Sequence, residues 1–202
     1  MSYGTSTNAG AKYIALKAKT SETDPTPYFG LKTKSGDKYE ISEKFTFVEG
    51  VLEEMKTKQY TWEKQLIDVV TIKMRDADEV YFVEGNLSSS LMRNILNSIL
   101  GTKEKLNGRV HIDLGLQKAK EGETKRYAAS WVKIDGENTT WAYKYDEFPK
   151  IEKNKKGVII DDEAYMEFMR KMVTDINGYL VAPVTSDSGE PATETQPDGL
   201  PF

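Results

Sequence analysis

The chain has 202 residues, with 28 Lys and Arg against 32 Asp and Glu, no Cys and a single His, His111. Without Cys there is no disulfide framework, thiolate metal site or thiol nucleophile, and one His leaves little material for a zinc site or a Ser-His-Asp triad. No apolar run reaches membrane-spanning length, and Met-Ser-Tyr-Gly-Thr-Ser-Thr lacks the basic and apolar regions of a signal peptide, which points to a cytoplasmic protein with no membrane role.

In chain order, the first ten residues are small and polar. Ala11 to Lys19 alternates Ile14, Leu16 and Ala18 against Tyr13, Ala15 and Lys17, the pattern of a strand with one apolar face. A turn-rich stretch, Thr20 to Pro27, leads to Tyr28-Phe29-Gly30-Leu31 and a turn at Ser35-Gly36-Asp37. Period two returns from Tyr39 to Phe47. Phe45 to Lys56 carries Gly50 inside a strand pattern, where glycine marks a bulge or bend. Tyr60 to Arg75 is β-prone, Asp76-Ala77-Asp78 a turn, and Val80 to Val83 a short strand.

Ser88-Ser89-Ser90 caps a predicted helix whose Leu91, Met92, Ile95, Leu96, Ile99 and Leu100 fit helical spacing, and Gly101 stands where it stops. Arg109 to Leu116 is a strand, and Arg126 to Ile134 its hairpin mate across a polar turn at 120–124. A last hairpin is predicted to turn at Asp135-Gly136-Glu137-Asn138 and return as a strand, Thr139 to Tyr145. Asp161-Asp162-Glu163 opens a second helix, Ala164 to Ile176, ending near Gly178. Three strands, one helix, then two strands, with a glycine bend in the first, is the order of an oligonucleotide-binding (OB) barrel. The expected fold is mainly β: a five-stranded OB-like barrel with a helix between its third and fourth strands, extra strands and a C-terminal helix. The barrel domain spans residues 1–181.

Residues 182–202 are rich in Pro, Thr, Ser and Gly, and from 183 onward hold Asp187, Glu190, Glu194 and Asp198 but no Lys or Arg. Such a segment buries too little apolar surface to offset its ordering entropy, so a disordered acidic tail is expected. It carries the whole net charge of -4, leaving a neutral body. A Leu-Pro-Phe end on a solvated tail offers an aromatic ring and a carboxylate to a partner's pocket.

Asp198-Gly199-Leu200-Pro201-Phe202 resembles the C-terminal tip of bacterial and phage single-stranded DNA-binding proteins, which end in acids, an aliphatic residue, Pro and Phe. Leu200, Pro201 and Phe202 match position for position; Gly199 stands where an acid is usual. The resemblance implies a body that coats single-stranded DNA without strong sequence preference during replication, recombination or repair. It implies a tip (Asp198, Leu200, Pro201, Phe202) that recruits partner proteins, a bacterial or phage-infected cell as the setting, and a possible homo-oligomer.

Strand coating needs rings for base stacking and cations for phosphates. The two interleave at Lys125-Arg126-Tyr127 with Trp131, at Trp141-Ala142-Tyr143-Lys144-Tyr145, and at Tyr60-Thr61-Trp62-Glu63-Lys64, which is expected at a strand-to-strand turn. Strand aromatics are ordinarily core. What lifts the Trp141–Tyr145 set above that reading is its alternation with small or polar partners in a body already supplied with Ile, Leu and Val. His111 alternates with the apolar face of its strand and reads as a surface or groove residue. Lys150 to Lys156 reads as a solvated turn, Glu53-Glu54 as an exposed strand end, and the acids at 161–163 as helix capping. No phosphate loop, paired-acid spacing or metal motif stands out, so no enzyme, metal or cofactor is expected. A non-catalytic β-barrel structural or protein-interaction module is the alternative, and a carboxylate-dependent nuclease a distant third.

Overall fold

The computed structural model describes residues 11–21, 23–35, 38–62, 65–118, 126–155 and 159–180. Six strands come first: β1 (Lys12–Lys17), β2 (Tyr28–Ser35), β3 (Lys38–Phe45), β4 (Phe47–Trp62), β5 (Gln65–Asp76) and β6 (Glu79–Asn86). Helix α1 (Ser90–Gly101) follows, then β7 (Arg109–Leu116), β8 (Ala128–Ile134) and the short β9 (Glu137–Asn138). A small pair, β10 (Glu152–Lys153) and β11 (Ile159–Asp161), precedes helix α2 (Glu163–Leu180).

The fold is mainly β with two helices, but the expected five-stranded barrel is corrected to an open sheet. Nine strands form one mixed sheet in the order β3-β2-β1-β6-β5-β4-β7-β8-β9. Closing a five-stranded barrel requires β8 to pair with β6. Instead β1 takes that edge of β6 in parallel, from Lys12↔Tyr81 to Ala15↔Glu84, and β8 carries β9 on its far side. Strands β1, β2 and β3 therefore extend this same sheet.

The sheet is nevertheless strongly curled. β3 and β4 stand first and sixth in the order, yet Thr46 alone separates them. Five flat steps would put them about 24 Å apart, whereas two residue steps reach about 7 Å. Only a sheet rolled back toward itself satisfies both, and the amide of Leu114 in β7 closes on the Thr46 carbonyl at 2.7 Å. The bend in β4 has two parts. A Cβ on Gly50 would lie 2.8 Å from the Arg75 carbonyl oxygen, so the glycine permits a close backbone approach. The register then shifts between Leu52 and Glu54, leaving Glu53 as the extra bulge residue.

Strand alternation separates two faces. The inner face carries Ile14, Phe29, Val48, Leu52, Met55, Val70, Ile72, Met74, Val83, Val110, Ile112, Leu114, Val132 and Ile134, all buried. Against it pack α1, through Met92, Ile95, Leu96 and Ile99, and α2, through Tyr165, Met169, Met172, Val173 and Ile176, in one apolar cluster. The Ser89 side chain caps α1 by accepting from the Met92 amide at 3.1 Å, and Asp161 accepts from the Glu163 amide at 2.9 Å at the start of α2. Helix α2 continues through Gly178 to Leu180.

Two turns differ from expectation. The long β-prone run divides so that β4 extends to Trp62, paired without interruption to β5 from Glu54↔Lys73 to Trp62↔Gln65. The predicted returning strand Thr139–Tyr145 does not form, and the ladder ends with Glu137–Asn138, two residues expected in the turn. Asp135 (φ 52°) and Gly136 (φ 78°) make the tight hairpin turn as expected, but the chain then leaves the sheet because α1 captures it.

Candidate nucleic-acid interface

Neither α1 nor α2 packs on the outer face of the sheet, and hydrogen-bond register arranges its side chains in rows across the strands. One row runs Lys32 (β2), Tyr13 (β1), Phe82 (β6), Lys73 (β5) and Glu54 (β4). Tyr13 and Phe82 stack at 5.2 Å between centroids and 21° between planes. A partly exposed aromatic pair thus lies between two lysines, one on each flank. The next row holds Gly30, Ala15, Glu84, Thr71 and Lys56, a floor of mostly small side chains. Beyond it the β4–β5 hairpin rises with Lys58 and Tyr60. These elements bound a groove of about 1010 Å³ lined by Lys17, Lys32, Lys58, Tyr60, Val69 and Glu84.

Most cations here have carboxylate partners, and three of those carboxylates each meet two basic side chains. Glu53 binds Lys73 (2.7 Å) and Arg75; Glu84 binds Lys32 (2.5 Å) and Lys58; Glu49 binds Arg109 and lies 2.6 Å from His111 Nδ1. Arg75 and then Lys73 hold the Glu53 carboxyl below the usual carboxylate range. For Glu84, burial works against the charge, yet Lys32 and Lys58 outweigh it and keep the carboxyl low. The expectation of Glu53 as an exposed strand end is corrected: as the bulge residue it turns back across β5. This pairing is the local form of the neutral body charge.

A second aromatic patch lies on the same face toward β7 and β8. Trp131 is 47% exposed, and its indole lies over Gly115, where a Cβ would stand 3.0 Å from the ring. Phe47 stacks on His111 at 5.0 Å and 19°. The imidazole edge is held between Glu49 and Asp113, with Nε2 3.0 Å from the latter. Lys133 pairs with His111 in register.

The Trp141–Tyr145 set lies elsewhere. Its backbone docks on α1: the Asn97 amide donates to the Tyr143 carbonyl and accepts from the Tyr143 amide, both at 2.9 Å. The Ala142 amide donates to the Asn97 carbonyl at 3.1 Å, and the Thr140 hydroxyl donates to the Gly101 carbonyl at 2.9 Å. Tyr143 turns inward, edge-on to Phe148 and Phe168. Trp141 (60% exposed) and Tyr145 (71%) face solvent, with the Arg93 guanidinium 4.8 Å from the Tyr145 ring. Lys144 begins a short 3-10 turn. The expected one-sided projection of Trp141, Tyr143 and Tyr145 is therefore corrected, and these residues stand on the helical side of the molecule.

Of the residues the sequence singles out, Tyr60, Tyr127 and Trp131 share the outer-face alternation, with Arg126 at the foot of β8; Tyr127 precedes β8 in phase with Ala129 and Trp131. Trp62 ends β4, and its side chain, like Lys64, Lys125 and the tip residues Asp198, Leu200, Pro201 and Phe202, lies outside the described residues. Sequence reasoning missed Phe82 and the pairing of Tyr13 with it. Val80-Tyr81-Phe82-Val83 is an unbroken apolar run, so alternation gives no face to Phe82 until β1 is known to lie beside it. It also missed Phe47, which period two assigns to a strand without saying which way it points. Among the described residues no group of three or more His, Asp or Glu is placed to hold a metal ion, and no described helix is long and apolar enough to cross a membrane. No family model, curated protein or solved structure matches the chain.

Proposed function

We propose that the protein binds single-stranded DNA along the outer face of its sheet, without strong sequence preference, and that it recruits replication, recombination or repair proteins through its C-terminal tip. The observation that carries this reading is the Lys32–Tyr13–Phe82–Lys73 row: a partly exposed aromatic stack between cations, which is what base stacking with phosphate tracking requires. The strand order supports it. Taken alone, β6-β5-β4-β7-β8 with α1 between β6 and β7 is the order of an OB-fold opened at one seam. In that correspondence β5 and β6 are the face, and the β4–β5 and β7–β8 connections the loops, with which such folds bind oligonucleotides. Tyr60 and Trp62 belong to the first connection, Arg126 and Tyr127 to the second.

Titration with oligo-dT tests the reading. Quenching of tryptophan emission, with affinity that falls as salt rises, is expected; no signal at low salt would sink it. Phe82→Ala is expected to weaken binding by about 1–3 kcal/mol, the usual value of one stacked base. Deleting Leu200–Phe202 leaves DNA affinity unchanged and removes retention of partner enzymes. A second reading, a protein-interaction module, is favoured by Trp141, held rigidly and exposed on the helical side; under it oligo-dT has no effect.

A further inference from the structure

We propose that Lys32, Lys58 and Glu84 form a seat for a backbone phosphate of single-stranded nucleic acid, in which Glu84 neutralises part of the lysines' charge and limits affinity. This rests on the nucleic-acid reading above and assigns it a defined anion site and a throttle.

The geometry has three parts. Glu84 stands on the floor of the groove, with Ala15 on one side and Thr71 on the other in register and Gly30 beyond Ala15. The Ile41 and Tyr28 side chains close over Gly30, so the approach to Glu84, whose own side chain is only 12% exposed, is from the side of Lys58. The two lysines reach it from different elements, Lys32 from β2 and Lys58 from the β4–β5 hairpin, so the anion between them bridges the two walls. An ammonium has three donors, and Lys58 keeps more than half of its side chain in solvent, so both an inner carboxylate and an outer phosphate oxygen can be served. Finally, the Tyr13–Phe82 stack lies in the adjacent row, two residues along β1 and β6 and so about 7 Å away. A nucleotide whose base stacks there has its phosphate within reach of the seat.

The sign of Glu84's effect follows from charge. The triad carries a net +1 with Glu84 ionised and +2 without it. A phosphate approaching the pair meets two ammoniums and one fixed like charge, and that charge is poorly screened because it is buried. The carboxylate thus holds the lysines in place between binding events and opposes the phosphate that shares them. A merely structural Glu84, tying the β1–β2 wing to β4, would affect stability but leave the salt dependence of binding unchanged.

The test is oligo-dT titration of the full chain across a salt series for wild type, Glu84→Gln and Lys58→Gln. Glu84→Gln is expected to bind about three- to ten-fold tighter at low salt, with a salt slope steeper by roughly 0.7 for each additional phosphate neutralised. Equal or weaker binding by a folded Glu84→Gln protein overturns the proposal. Lys58→Gln, at the exposed end of the triad, keeps the test available if Glu84→Gln does not fold: about three-fold weaker binding and a shallower slope are expected, and wild-type behaviour overturns the seat. Wild type failing to bind oligo-dT overturns both this inference and the reading beneath it. Wild-type binding with an indifferent Glu84 and Lys58 removes the seat alone.

Discussion

Asn97 is a polar side chain 3% exposed within α1, and its two amide atoms are both used on one residue, Tyr143. A buried amide keeps its place only when its donors and acceptors are met. Replacing it with Ala orphans the Tyr143 amide and carbonyl together, so Asn97→Ala is expected to cost about 2–3 kcal/mol. Urea denaturation measures that loss, and limited proteolysis should newly cut between Thr140 and Tyr145; an unchanged midpoint would refute the anchoring role. The bridging carboxylates make a second prediction at this scale. Glu49, Glu53 and Glu84 are all held below the ordinary glutamate value of 4.5, by Arg109 with His111, by Arg75 with Lys73, and by Lys32 with Lys58 against burial. A depressed native pKa means the unfolded chain binds protons first, so the stabilisation is complete above that ordinary value and is lost as pH falls through the lowered ones. The urea midpoint should hold from neutrality to about pH 5 and decline below it. Glu84→Gln, starting lower at neutral pH, should decline less steeply; an identical slope would show that Glu84 does not titrate with folding.

Two glycines show how far elements can be read before the fold is known. Gly50 and Gly178 both interrupt regular patterns, and the sequence treats them alike as breakers. In β4 a Cβ at Gly50 meets the Arg75 backbone at 2.8 Å, whereas at Gly178 nothing lies within 4 Å. Gly50→Ala should therefore destabilise by about 1–3 kcal/mol, and Gly178→Ala in α2 should stabilise by up to about 1 kcal/mol by removing glycine's extra unfolded freedom. Thermal melts of the two variants moving in the same direction would contradict this. Strands with clean alternation, such as Arg109–Leu116, and helices with capped apolar stripes were legible because their signals are local. The bulge at Glu53, the parallel docking of β1 on β6 and the release of residues 139–145 from the sheet were not. Each is decided by a partner distant in sequence: Arg75 and Lys73 for Glu53, Val83 and Glu84 for β1, and Asn97 for the last segment. Alternating aromatics at Trp141, Tyr143 and Tyr145 satisfy a strand pattern locally, yet a helix that satisfies their backbone from outside the sheet outcompetes the ladder.

At the scale of the whole molecule the curl separates two working surfaces. Helices α1 and α2 and the 139–145 segment cover the inner side of the sheet, so two of the three tryptophans report different places: Trp131 on the outer face over Gly115, Trp141 on the helical side against α1. If single strands follow the outer face, quenching by oligo-dT arises from Trp131 and from the hairpin that carries Trp62. Trp141→Phe should then retain the quench and the affinity, while Trp131→Phe loses a large part of the signal. The affinity of Trp131→Phe should change little, because a phenyl ring still offers a stacking surface, whereas Trp131→Ala should weaken binding by about 1–3 kcal/mol. The opposite pattern, with the signal lost in Trp141→Phe and intact in Trp131→Phe, would move the interface to the helical side and leave the outer face without a ligand. The neutral body charge sharpens the expectation. With Lys32, Lys58, Lys73, Arg75 and Arg109 each already bound to a carboxylate, counterion release at each phosphate is reduced, so the affinity should rest on stacking and fall only gently with salt. A steep salt slope in the wild-type protein, together with insensitivity to Trp131→Ala and Phe82→Ala, would mean that cations outside these pairs bind the strand.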